Sequence, residues 1–212
     1  MSKQVKTVYV CGECGYESGK WLGHCPACSS WNTMVEINAV KGRRDGPSLD
    51  MARPLKEIPA DSTRRICTGI GELDRVLGGG LVPGSVVLIG GDPGIGKSTL
   101  LTQVAGTLAA ALGVLYVTGE ESGAQLRLRA ERLAVCGDML VLADTSLQSI
   151  EAELIRLRPS VLIIDSIQTM YDPDIQSAAG SVTQIRQVTD SLTRYAKSAG
   201  CAVFIVGHVT KE

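Results

Sequence analysis

The segment GGDPGIGKST, residues 90–99, follows directly on the apolar run VVLI, residues 86–89, and constrains the fold of this 212-residue chain more than any other stretch. Gly91, Gly96, Lys97 and Ser98 satisfy the spacing GxxxxGK[ST] between an apolar strand and a helix-forming stretch, the context in which that pattern has meaning. Glycines at 91, 94 and 96 let backbone N–H groups wrap phosphates, and the helix N-terminus adds a favourable dipole. The expected cradle runs over Gly91, Asp92, Pro93, Gly94, Ile95 and Gly96. Beyond it Lys97 reaches the β- and γ-phosphates of ATP, Ser98 holds Mg2+ and Thr99 touches the α-phosphate. A glycine turn with a merely solvated lysine fits the flanking strand and helix poorly.

A strand, a tight loop and a helix in succession imply an α/β fold, and the rest of the chain agrees. Apolar runs at 86–89, 114–117, 139–142, 161–164 and 202–206 alternate with helix-forming stretches near 97–112, 122–134, 146–157 and 180–199. Runs this continuously apolar predict a parallel sheet buried on both faces. The run VLIID ends in Asp165, a carboxylate placed to hold Mg2+ opposite Ser98, through water or directly. The run LYVTGEE ends in two acids: Glu120 is the preferred base to activate water, and Glu121 the supporting or alternative one. Glu121 equally suits the start of the next helix, where acids are favoured.

Four of the seven cysteines fall in the pairs Cys11-x2-Cys14 and Cys25-x2-Cys28. The N-terminus lacks the apolar stretch of an export signal, so a metal site is expected rather than disulfides. Two such turns can present four thiolates to one zinc ion at about 2.3 Å each. A unit this short, with few apolar residues, needs the ion for its folding energy. Free thiols or a redox dithiol are the alternative. His24 is then a bystander. Lys20, Trp21 and Trp31 offer charge and stacking to a nucleic-acid strand, or the tryptophans pad a small core. Cys67, Cys136 and Cys201, beside apolar neighbours, are expected to be small buried hydrophobes.

Domain boundaries follow composition: a small four-cysteine zinc ribbon or knuckle over 1–37, a linker with three prolines over 38–63 and an α/β nucleotide-binding core over 64–212. With 21 basic and 22 acidic residues, net charge is -1, so any nucleic-acid surface must be local. No stretch approaches the roughly 20 apolar residues of a membrane helix, and a cytoplasmic location without membrane contact is expected.

The run TGIGELDRVLGGGLVPGSVVLIGGDPGIGKSTLL resembles the RecA-like ATPases. With CGECGYESGKWLGHCPACSSWNT before it and VTGEES after it, nearly the whole chain is similar to bacterial DNA-repair members of that family. The resemblance implies a RecA-like P-loop core with a mainly parallel sheet, entered through a helix over 71–77 and the glycines at 78–80. It implies an ATP-dependent, single-stranded-DNA-binding motor that processes branched recombination intermediates, assembled as a hexamer and acting beside a recombinase. Carried over to this sequence, Glu120 activates water and His208 senses the γ-phosphate; a surface imidazole is the alternative for His208. The loop at 171–182 and the segment opening at Lys211 stand where such proteins contact DNA, although the loop holds two Asp and no Lys or Arg before Arg186. Family members continue with a KNRFG motif, further strands and a domain resembling the Lon protease domain. A chain ending at Glu212 is therefore expected to be an N-terminal portion with an open sheet edge. Two rival readings are a KaiC-like regulatory ATPase that never touches DNA, and an ATP- and zinc-binding interaction fragment without turnover.

Overall fold

The apolar runs of the second part of the chain form one five-stranded, wholly parallel sheet. The structure, a computed structural model, describes residues 7–38, 54–57, 64–135 and 137–208. Most of the expected linker, Cys136 and Lys211 lie outside the described residues. The chain divides into two compact units between Arg64 and Arg65.

The first unit is a small antiparallel sheet. Strand β1 (Thr7–Cys11) lies between β2 (Glu17–Ser18) and β3 (Met34–Asn38). Among the described residues its buried apolar side chains are few: Val10, Cys11, Cys25 and Met34, with Tyr9, Leu22 and Cys28 packed against them. Trp21 and Trp31 are 53% and 72% exposed, so neither pads that core.

The second unit begins with the short helix α1 (Gly71–Val76), then β4 (Val86–Gly91) and α2 (Lys97–Ala109). There follow β5 (Val114–Thr118), α3 (Gly123–Arg132), β6 (Leu140–Leu142), α4 (Leu147–Leu157), β7 (Val161–Asp165), α5 (Val182–Ala199) and β8 (Ala202–His208). In space the strands run β4-β8-β7-β5-β6. On one face, Leu101, Val104 and Leu108 of α2 pack on Tyr116, Ile163, Phe204 and Val206. On the other, Ile150 and Leu154 of α4 and Val188 and Leu192 of α5 cover Val117, Leu162, Ile164 and Val203. Helices on both faces are what a parallel sheet requires.

Burial on both faces holds for β5, β7 and β8 but not for the other two strands, which corrects the sequence reading. Leu88 of β4 and Leu140 and Val141 of β6 are exposed, because among the described residues these strands form the sheet's edges. Cys67 is a second correction: it is exposed and its thiol donates to Asp74 Oδ2 at 2.9 Å, so it is no core residue. Cys201 is buried as expected. No helix among the described residues is long and apolar enough to cross a membrane.

The stretch after β7 is tied to α5 by one buried side chain. Gln184 Oε1 accepts from the Asp172 N–H at 2.7 Å, and its Nε2 donates to the carbonyls of Asp172, Ile175 and Ser177 at 3.0–3.2 Å. Replacing it removes several partners at once, each worth about 1 kcal/mol net and more where a buried group is left unpaired. Gln184→Ala is therefore expected to speed amide hydrogen exchange across residues 172–177 by about tenfold or more, while β7 and β8 stay protected.

Candidate functional site

Strand pairing gathers the site at one end of the sheet. In register, Gly91 of β4 stands beside His208 of β8, and Thr118 of β5 beside Asp165 of β7. Four strand ends, drawn from sequence positions far apart, thus open onto the phosphate loop. Gly94 and Gly96 adopt φ of 78° and 102°, left-handed values that L side chains avoid, although a Cβ at either would meet open space. Conformation, not crowding, therefore demands glycine there. α2 starts at Lys97 with Gly96 as its cap, which aims the first backbone N–H groups at the loop.

Lys97 is only 7% exposed, and its Nζ donates to the carbonyls of Gly91 and Asp92 at 2.8 and 2.9 Å. It also lies 3.3 Å from His208 Nδ1. His208 Nε2 stands 2.9 Å from Glu120 Oε1, which also accepts from Ser166 Oγ at 2.5 Å. Lys97 can only donate, so Nδ1 faces the ammonium as acceptor while Nε2 faces the Glu120 carboxylate. Burial works to raise the Glu120 pKa, but the hydrogen bonds from Ser166 and His208, with electrostatic attraction to His208 and Lys97, outweigh it and hold the carboxyl below its ordinary value. Glu120 is thus a carboxylate at neutral pH, as an acceptor of a water proton must be.

Glu121 does not join this group. Its carboxylate pairs with Arg129 of α3, and its backbone N–H donates to Thr118 Oγ1. Asp165 is 5% exposed; its Oδ2 accepts from the Tyr116 hydroxyl at 2.6 Å, while Oδ1 is buried without a hydrogen-bond partner. A buried carboxylate oxygen left unpaired is costly unless something takes it up, which suits a cation ligand. Ser98 follows Lys97 in the first turn of α2.

Sequence reasoning missed Ser166, Tyr116 and Arg129. The signal for Tyr116 was its hydroxyl in an otherwise buried aliphatic strand, since a buried phenol seeks a partner. Ser166 and Arg129 carry no comparable local signal.

The cysteines form a second centre. The two CxxC loops repeat one backbone pattern: Gly15 N–H donates to the Cys11 carbonyl and Ser29 N–H to that of Cys25, each at 2.9 Å. Cys11 N–H donates to the Tyr16 carbonyl and Cys25 N–H to that of Ser30, again at 2.9 Å. All four sulfurs lie within 4.8 Å of one another, with Cys11 to Cys28 at 3.6 Å and Cys14 to Cys25 at 3.5 Å. A tetrahedron with zinc–sulfur bonds of about 2.3 Å has edges near ~3.8 Å, so the set fits zinc. Burial opposes ionisation of Cys11, but the Thr33 hydroxyl and the backbone N–H groups of Cys14 and Glu13 bring its thiol down to about 6. Against a backbone hydrogen bond at Tyr16, burial and the three neighbouring thiols push Cys14 up to about 12. Four thiolates this close need a dication to coexist. His24 is outside the cluster and packs its ring on Trp31 at 4.9 Å between centroids.

A family model described as an AAA domain matches residues 52–212, and one described as a rubredoxin metal-binding domain matches residues 9–36. Curated relatives include the DNA repair protein RadA of Listeria monocytogenes, 51% identical over 100% of this chain and 48% of its own length. RadA of Halalkalibacterium halodurans is 50% identical over 98% of this chain and 47% of the relative, and RadA of Haemophilus influenzae 47% identical over 100% and 48%. The chain spans about half the length of these relatives.

With so few buried apolar side chains among the described residues, zinc held by the four cysteines would supply the folding energy of the first unit, about 10–16 kcal/mol in zinc peptides near neutral pH. Chelation, or Cys25→Ser, is expected to release zinc and abolish amide protection in β1 and β3, with β7 and β8 unaffected, as read by hydrogen exchange.

Proposed function

Because the chain belongs to the AAA domain family of P-loop ATPases, we propose that it binds ATP in the cradle at 91–99, hydrolyses it, and uses the cycle to act on single-stranded DNA in recombination and repair. The observation that carries this reading is the chain of contacts Lys97–His208–Glu120–Ser166 at the mouth of the phosphate loop. Lys97 exchanges its carbonyl partners for β- and γ-phosphate oxygens. Ser98 and Asp165 hold Mg2+, which when bound neutralises charge on the phosphates; the unpaired Asp165 Oδ1 supports that role. Glu120, kept ionised, orients water and takes its proton, while Ser166 and His208 fix the carboxylate in place. His208 touches both the phosphate-binding lysine and the base, so loss of the γ-phosphate is felt at the end of β8. Glu121, engaged by Arg129, braces α3 rather than serving as base.

Similarity to DNA repair proteins called RadA supports a DNA substrate; within that reading we assign branched recombination intermediates as the substrate and a recombinase as a working partner. We place the protein in the cytoplasm and assemble it as a hexamer, in which closure at subunit boundaries couples hydrolysis to movement along DNA. A second reading, a regulatory ATPase that does not touch DNA, is favoured by one feature: residues 171–181 carry Asp172 and Asp174 and no Lys or Arg. Phosphate contacts there would be repelled rather than attracted.

ATP turnover with and without single-stranded DNA separates the two. Stimulation by DNA is expected; turnover indifferent to DNA would leave the regulatory reading standing. Glu120→Gln should lower kcat by about 100- to 10,000-fold while leaving nucleotide binding intact. Ser166→Ala removes a hydrogen bond that favours the Glu120 carboxylate, so its pKa rises. The acid limb of the kcat/KM profile is then expected to move to higher pH, whereas an unmoved limb would deny Ser166 that role.

A further inference from the structure

Tyr116 is fully buried in β5, and its hydroxyl treats the two oxygens of Asp165 differently. It donates to Oδ2 at 2.6 Å and leaves Oδ1 buried with no partner. A phenol carries one O–H and a carboxylate only accepts, so the hydroxyl is the donor of this contact. The same phenol interacts with the Thr102 side chain, whose own hydroxyl donates to the Ser98 carbonyl at 2.7 Å. Tyr116 therefore stands between the turn of α2 that carries Ser98 and the strand end that carries Asp165. These two residues come from different elements, and no local sequence pattern sets the distance between them.

We propose that Tyr116 is a positioning residue for the divalent cation of the nucleotide site: by engaging Asp165 Oδ2, its hydroxyl reserves Oδ1 for the metal and links Asp165 to the Ser98 turn. This rests on the ATP-binding reading above. A phenylalanine ring would fill nearly the same space and keep the apolar contacts with α2. It would leave both carboxylate oxygens without a donor, so the side chain could turn and Oδ1 would no longer be held toward the metal. Oδ1 alone, unpaired in a buried position, would be an unexplained cost in a site that never held a cation.

The test is a binding titration that needs no turnover. Mg2+ is added to the purified chain with a non-hydrolysable ATP analogue, and bound nucleotide is followed. Tyr116→Phe is expected to raise the Mg2+ concentration for half-maximal binding by roughly 10- to 150-fold, the worth of a hydrogen bond to a charged group. Thr102→Val, which leaves the ring and the carboxylate in place, should shift it the same way by less. Without nucleotide, Tyr116→Phe should unfold somewhat below the parent, because a hydrogen bond to a buried carboxylate is lost, yet cooperatively and well above the temperature of the titration, so that folded sites are compared. An unchanged or lower Mg2+ requirement in Tyr116→Phe overturns the positioning role. A parent chain that shows no Mg2+-dependent nucleotide binding overturns the ATP-site reading itself.

Discussion

The pairing of β8 between β4 and β7 is the constraint on which the rest of the second unit depends. β8 is the final strand described, yet it occupies an inner position, bonded to the phosphate-loop strand on one side and to the Asp165 strand on the other. Because parallel strands point the same way, all their C-terminal ends emerge on one edge of the sheet. Ligands of open parallel sheets bind at that edge. Here it also brings His208 beside Gly91. Moving β8 out of the sheet would separate the lysine from the base even with every local element intact.

The charges at that edge form a balanced set rather than a loose collection. Lys97 is buried against backbone carbonyls and an imidazole, while the more exposed Glu120 bonds to a hydroxyl and the same imidazole. His208 therefore separates a cation from an anion while bonding to both. Charge-assisted hydrogen bonds in a partly desolvated site are stronger than neutral ones, which keeps Glu120 ionised against its partial desolvation. Asp165 answers to a different set of neighbours and differs accordingly: one oxygen satisfied by a buried phenol, the other left for a ligand. The two acids that look alike in sequence, Glu120 and Glu121, are divided in the same way by their partners.

The first unit follows another logic. Its strands are short, its buried apolar residues few, and its two loops repeat one hydrogen-bonding pattern around four sulfurs. Such a unit gains its order from coordination rather than from burial. Its tryptophans are left at the surface, where apolar faces are available to a partner.

Much of this was legible from local pattern. The glycine spacing before Lys97, the five apolar runs and the two CxxC pairs each encode a structure that depends on near neighbours in the chain. Expected and observed strands accordingly differ by at most two residues at an end. What sequence could not reach were contacts across long separations: Ser166 with Glu120 over 46 positions, Tyr116 with Asp165 over 49, Lys97 with His208 over 111. The exposure of Leu88 and of Cys67 escaped for the same reason, since burial depends on which element lies opposite. The sequence by itself determined a phosphate loop, a cysteine cluster and an alternating α/β chain, because those are set by residue type and spacing. Strand order decided which acid meets Ser166 and His208 at the loop and which keeps a free oxygen beside a buried phenol, because only the folded sheet settles what those side chains meet.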